Sequence, residues 1–118
     1  MSLEESMSIL ESTKAVLGIP KDHTAFDKQL IMHINSVFTI LNQLGADKFT
    51  ITGYDETWDD YLSKYEDLDL EFIESYLPMK VRMMFDTPTS GTTAEAFNKL
   101  IAEYEWRIRI TFDEKIEA

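Results

Sequence analysis

FDKQLIMHINSVFTILNQLG, residues 26–45, places Leu30, Ile34, Val37, Phe38, Leu41 and Leu44 at intervals of three or four before a glycine closes the run. That spacing gathers the large apolar side chains on one face of a helix. A stripe held for five turns predicts an amphipathic helix whose apolar face has to be covered by other elements.

Working outward, the same period recurs on both sides. Leu3, Met7, Leu10 and Leu17 predict a first helix over residues 3–17, with Glu4, Glu5 and Glu11 on its outer face. Gly18 followed by Ile19-Pro20 supplies a left-handed stop and a ring that cannot continue the helix. Residues 46–56, ADKFTITGYDE, change character: Phe49 and Ile51 alternate with Thr50 and Thr52 until Gly53 breaks the run, which predicts a short extended or β-hairpin-like insert. Thr57 stands three residues before Asp60, a variant of the capping box in which Asp replaces Glu, and predicts a short helix over Trp58–Lys64. Trp58, Tyr61 and Leu62 are expected in the core.

From Leu68 to Phe85 the set Phe72, Ile73, Tyr76, Leu77, Val81, Met84 and Phe85 is helical again, with Pro78 inside it. Proline removes one backbone donor and presses on the carbonyl of Glu74, so the segment is expected to be a kinked helix or two consecutive helices, with the kink preferred. Met79, Met83 and Met84 read as deformable filler of the core, with an adaptable Met-rich contact face as the alternative. The loop DTPTSGT, residues 86–92, follows, and Thr92 three residues before Glu95 predicts a capping box opening a last helix through Phe97, Leu100, Ile101, Tyr104 and Ile108. Beyond Trp106, Ile108, Ile110 and Phe112 alternate with Arg107, Arg109 and Thr111, which predicts a strand-like tail whose open edge would need a partner. The expected fold is mainly α, a small bundle of four to five helices with an extended insert near 46–56 and a strand-like C-terminal tail, in a single domain spanning residues 1–118.

Composition narrows the function. The chain of 118 residues has 11 basic and 22 acidic side chains, a formal net charge of −11, and no cysteine. The charge opposes direct binding of nucleic-acid phosphates, which depends on Lys and Arg displacing counterions. Without cysteine there is no disulfide, thiolate metal site or thiol nucleophile. A start lacking basic residues, and no apolar run near the ~20 residues needed to cross a bilayer, predict a soluble, unsecreted protein.

Chemistry finds few footholds. The loop at 86–92 has hydroxyls but no lysine and one glycine, short of a phosphate-binding P-loop. His23 and His33 are the only histidines, neither with a second ligand at helical metal-site spacing, and both are expected to face solvent or bond locally. Asp55, Glu56, Asp59, Asp60, Glu66, Asp67, Asp69, Glu71 and Glu74 crowd one third of the chain and read as a solvated acidic face. No catalytic, cofactor-binding or metal-ligating residue is assigned, and no enzyme activity is expected. An acidic decoy that mimics DNA to inhibit a basic nucleic-acid enzyme is the alternative from a different class, and a small carboxylate enzyme using a metal is a further rival.

Three segments in order, a D-x-x-L/I-x-x-x-I helix ending in Leu-Gly (Asp27 to Gly45), K-V-R-x-x-F-D-x-P (Lys80 to Pro88) and E-W-R-I (Glu105 to Ile108), resemble the head-tail connector proteins of tailed bacteriophages. The resemblance spans nearly the whole chain. It departs at Asp86-Thr87-Pro88, where family members usually carry Asp-Pro-Pro, and at Pro78 within a helix. It implies a head-completion adaptor without enzyme activity: a homo-oligomeric ring, dodecameric in the particle, that sits under the portal protein and extends the DNA channel. A tail-side adaptor or stopper protein would bind its far side, DNA would pass without sequence-specific binding, and no membrane is involved. Its place would be the head–tail interface of the virion, after assembly in the host cytoplasm. The residues expected at protein–protein interfaces are Phe49 and Ile51 of the insert, Asp86, Thr87, Pro88, Ser90 and Gly91 of the loop, and Trp106, Arg107 and Arg109 near the C-terminus.

Overall fold

The stripe of residues 26–45 forms the central helix. The computed structural model describes residues 7–117, and their side chains through residue 114. Five α-helices and one 3-10 turn occur among them: α1 (Ile9–Leu17), α2 (Asp27–Gln43), α3 (Trp58–Leu62), the 3-10 turn Ser63–Tyr65, α4 (Ile73–Phe85) and α5 (Gly91–Glu117). The only β pairing among the described residues is an isolated bridge between Ser8 and Thr57. The mainly α expectation therefore holds, and so does the extended insert, which makes no hairpin ladder.

Several helix ends have a local reason. Ser8 caps α1 by accepting a hydrogen bond from the Glu11 amide at 3.0 Å. The helix thus begins at Ile9, leaving Met7 outside it, while the expected positions Leu3, Glu4 and Glu5 lie outside the described residues. Gly18, at φ 77°, ends α1 with its own amide on Ala15 and the Ile19 amide on Lys14, a Schellman closure. Gly45 closes α2 in the same way, the Ala46 amide reaching the Leu41 carbonyl at 3.0 Å. Thr57 and Asp60 exchange both bonds of the predicted capping box at 3.1 and 2.9 Å.

Besides the start of α1, further boundaries and one element differ from expectation: α3 ends at Leu62 and passes into the 3-10 turn. Residues 68–72 are not helical: α4 begins at Ile73, and Leu70 enters the core from the preceding turn. Pro78 is buried inside α4, which runs through it as one helix. At α5 the cap is Ser90, whose hydroxyl accepts from the Thr93 amide at 3.3 Å, so the expected box of Thr92 and Glu95 lies inside the helix. The strand-like tail is helix to Glu117. Ile101, Ile108 and Phe112 are all buried, and their spacings of seven and four continue one helical face.

α4 is the hub, packing on α1, α2 and α5. The core joins Leu30, Ile34, Val37, Phe38 and Leu41 of α2 to Tyr76, Leu77 and Val81 of α4 and to Ile9 and Leu10 of α1. A chain of ring contacts extends it toward α5: Phe38 to Tyr61 at 4.9 Å, Tyr61 to Tyr65 at 5.5 Å, and Tyr65 to Phe112 at 5.4 Å. Trp58 and Tyr61 are buried as expected, and Leu62 is half-buried. Gly45 lets α5 come close, since a Cβ there would lie 2.5 Å from the Phe112 Cβ.

Candidate contact surfaces

The exposed side of α5 follows from its short list of buried positions. With Ile101, Ile108 and Phe112 turned inward, Ala102, Trp106, Arg109 and Asp113 form a stripe open to solvent. Trp106 is 62 % exposed, a large apolar ring with one polar edge. Arg107 is held by Glu103 one turn back, at 2.9 Å, whereas Arg109 forms no ion pair among the described residues.

The corner between α4 and α5 is short and internally bonded. The Thr87 hydroxyl donates to the Met83 carbonyl at 2.7 Å and the Asp86 amide to the Arg82 carbonyl at 2.8 Å, so both serve the open end of α4. Asp86, Thr87, Ser90 and Gly91 are exposed and Pro88 is half-buried. This corner and Trp106 do not share a patch: fifteen residues of helix from Gly91 to Trp106 rise about 22 Å.

The insert is anchored at several points. Asn35 of α2 brackets Ile51, accepting from its amide at 2.8 Å and donating to its carbonyl at 3.0 Å. Ile51 itself is 2 % exposed and belongs to the core, so its side chain offers no contact surface in this chain. Phe49 is half-buried, 5.0 Å from the Phe38 ring and 5.1 Å from that of Tyr61, with Lys64 over its face. Alternation alone made both look outward-facing, and α2 and α3 cover them instead. Glu56 accepts from the Thr52 amide and hydroxyl at 3.1 and 3.0 Å; burial pushes its carboxyl up, and Thr52 together with the backbone amides of Glu56 and Gly53 outweighs this and holds it below the usual range.

The most connected polar group was not singled out in the sequence. Lys14 is 1 % exposed, and its ammonium reaches the carbonyls of Lys21 and His23 at 3.1 and 2.7 Å, Asp27 Oδ1 at 2.7 Å and the Tyr54 hydroxyl at 2.9 Å. Tyr54 in turn donates to Asp27 Oδ2 at 2.6 Å. One lysine thus ties α1, the turn before α2, the start of α2 and the insert together. Burial pulls its pKa down, but the bonds to Asp27 and Tyr54 prevail and hold it above 10.5. Burial pushes the Asp27 carboxyl up, and Lys14 and Tyr54 overcome that to hold it below 3.8. The available signal was a lysine four residues after Leu10, on the apolar stripe of α1.

His23 is exposed and rests on Phe26 at 5.4 Å. His33 departs from expectation: its Nε2 is buried without a hydrogen-bond partner, and its ring lies 6.4 Å from Phe85. Among the described residues no three carboxylate or histidine side chains converge as a metal shell. Asp59, Glu66, Glu71 and Glu74 instead border a cleft of about 660 Å³ with Leu62, Leu68 and Leu70 among its lining. Burial, together with Glu71 and Asp59, pushes the Glu74 carboxyl up. No described helix is long and apolar enough to cross a membrane.

A family model described as phage connector protein matches residues 9–115. The comparisons with curated proteins and with solved structures found no match.

Proposed function

The chain belongs to the phage connector protein family, and we propose that it is a non-enzymatic adaptor that forms a homo-oligomeric ring under the portal of a tailed phage. The observation that carries this reading is the extent of the match, residues 9–115, which takes in α1 to α4 entirely and nearly all of α5. The described surface adds support: its polar side chains cap helices and brace loops, and its open features are a corner, an exposed helix face and an acidic cleft.

In the proposed ring, dodecameric in the particle, the chain acts by shape and contact. Asp86, Thr87, Pro88, Ser90 and Gly91 would present the stiff corner between α4 and α5, and Trp106, Arg107 and Arg109 the outer face of α5, to the portal, to neighbouring copies or to the next tail-side protein. Phe49 and Ile51 would contribute by holding the shape of the insert. A net charge of −11 per copy would repel phosphates from the channel wall, so packaged DNA slides through without being held.

Co-expression with the portal protein of the same phage, affinity purification and electron imaging would test this reading. A further ring of density beneath the portal is expected, and portals that stay bare in the presence of excess chain would overturn it. The same net charge also favours the DNA-mimic reading. That reading requires salt-sensitive binding to a basic nucleic-acid enzyme by a monomeric or dimeric chain that ignores the portal.

A further inference from the structure

Two separate surfaces of this chain are opposite in charge. The outer face of α5 carries Trp106, 62 % exposed, and three residues later Arg109, exposed and without an ion pair among the described residues. Lys14, Lys21, Lys80 and Arg107 each have a carboxylate within 3.2 Å, while Lys28, Lys48, Lys64, Arg82 and Lys99 share with Arg109 the lack of an ion pair among the described residues; Arg109 stands apart in lying next to an exposed tryptophan on one helix face. The cleft beside α3 has the opposite character. The half-buried Leu62 and Leu68 supply its apolar surface, with Leu70 buried beneath, and Asp59, Glu66, Glu71 and Glu74 surround them with carboxylates that no described lysine or arginine pairs. At about 660 Å³ it has room for a large side chain. The upward push on Glu74, from burial and from Glu71 and Asp59, fits anions crowded together without a cation.

The chain cannot satisfy this pairing within itself. Tyr104 stacks on Phe72 and Phe112 meets Tyr65, so α5 turns its inner face toward the cleft region and Trp106 away from it.

We propose that a second copy of this chain is the occupant: Trp106 of one copy seats on the leucine lining of the next, and Arg109 enters its wall of carboxylates. Trp and Arg are the side chains that most often anchor interfaces, and a guanidinium can grip a carboxylate with two parallel bonds. Because donor and acceptor surfaces differ, the contact repeats head to tail, the type that closes into rings. The inference rests on the ring reading and deepens it by naming one contact.

The absence of cysteine makes the test direct. Arg109→Cys and Glu74→Cys chains, purified separately and mixed with a short bis-maleimide, are expected to give a cross-linked heterodimer that neither yields alone. By sedimentation, Arg109→Glu should weaken self-association, alone or on the portal, by about tenfold or more, and Trp106→Ala comparably. A chain carrying both Arg109→Glu and Glu74→Arg should regain it. Circular dichroism should match the native chain throughout, because Arg109 and Trp106 project into solvent. Rings that form on the portal but are indifferent to Arg109→Glu and yield no cross-link would overturn this contact while leaving the ring reading standing. A native chain that stays monomeric both free and with portal would overturn both.

Discussion

α2 and α5 are both amphipathic helices, yet they divide their surfaces differently. α2 has 17 residues and buries Leu30, Ile34, Val37, Phe38 and Leu41. α5 has 27 residues, and of those described only Ile101, Ile108 and Phe112 are buried. Its first ten residues, 91–100, bury none fully, with Phe97 lying under the guanidinium of Arg82 at 5.3 Å. Length is therefore no guide to how much a helix contributes to the fold. α2 commits a whole face to the core it shares with α4, while most described side chains of α5 stay exposed or half-buried.

Substitutions can break or sharpen that contrast, beginning with the largest effect. Phe38→Ala removes a ring packed against Phe49 and Tyr61 and should cost about 3–5 kcal/mol in urea unfolding. A loss below about 1 kcal/mol would mean that this face of α2 is not central to the core.

Asp27→Ala comes next. It leaves the Lys14 ammonium buried beside carbonyls and Tyr54, and should cost about 2–3 kcal/mol, less than a fully enclosed pair because the Asp27 side chain is 17 % exposed. Its pH signature follows from the signs. The folded-state pKa of Asp27 lies below 3.8, so its contribution is complete above 3.8 and is lost as pH falls through the folded value. The folded-state pKa of Lys14 lies above 10.5, so its contribution is complete below 10.5 and is lost as pH rises through the folded value. Stability measured across the acid range should therefore fall more steeply below pH 3.8 in the native chain than in Asp27→Asn. Parallel curves would remove the pair from the account.

Gly45→Ala tests the seam between the two helices. At φ 128° with Phe112 in the way, the new Cβ should cost about 1–3 kcal/mol. Amide exchange should rise at the C-terminal end of α5 before it rises in α2. The smallest expected effect is Trp106→Ala, within about 0.5 kcal/mol of native. A larger loss in the isolated chain would show that the outer face of α5 supports the fold after all.

What the sequence disclosed depended on how many neighbours set each residue's fate. The α2 stripe was legible because one face is covered along its whole length. Residues 108–112 misled because Ile108 and Phe112, four apart, suit a period of two as well as one of 3.6. Only Ile110, half-buried, separated the two readings. The start of α5 was misplaced because Ser90, Thr92 and Thr93 are all able caps and only the turn geometry selects Ser90. The Lys14 network stayed hidden because Asp27 and Tyr54 lie 13 and 40 residues away. Of the expected contact residues, Trp106 and Arg109 stand open while Ile51 is covered by packing that alternation could not foresee.

The grip of Asn35 on Ile51 has a topological consequence. A primary amide that both accepts from and donates to one residue's backbone imitates a neighbouring strand, so the insert is fastened at its midpoint by a helix side chain. Residues 46–56 then behave as two five-residue spans with Ile51 as a shared post. Asn35→Ala would remove that bracket and leave Ile51 held by its burial in the core alone.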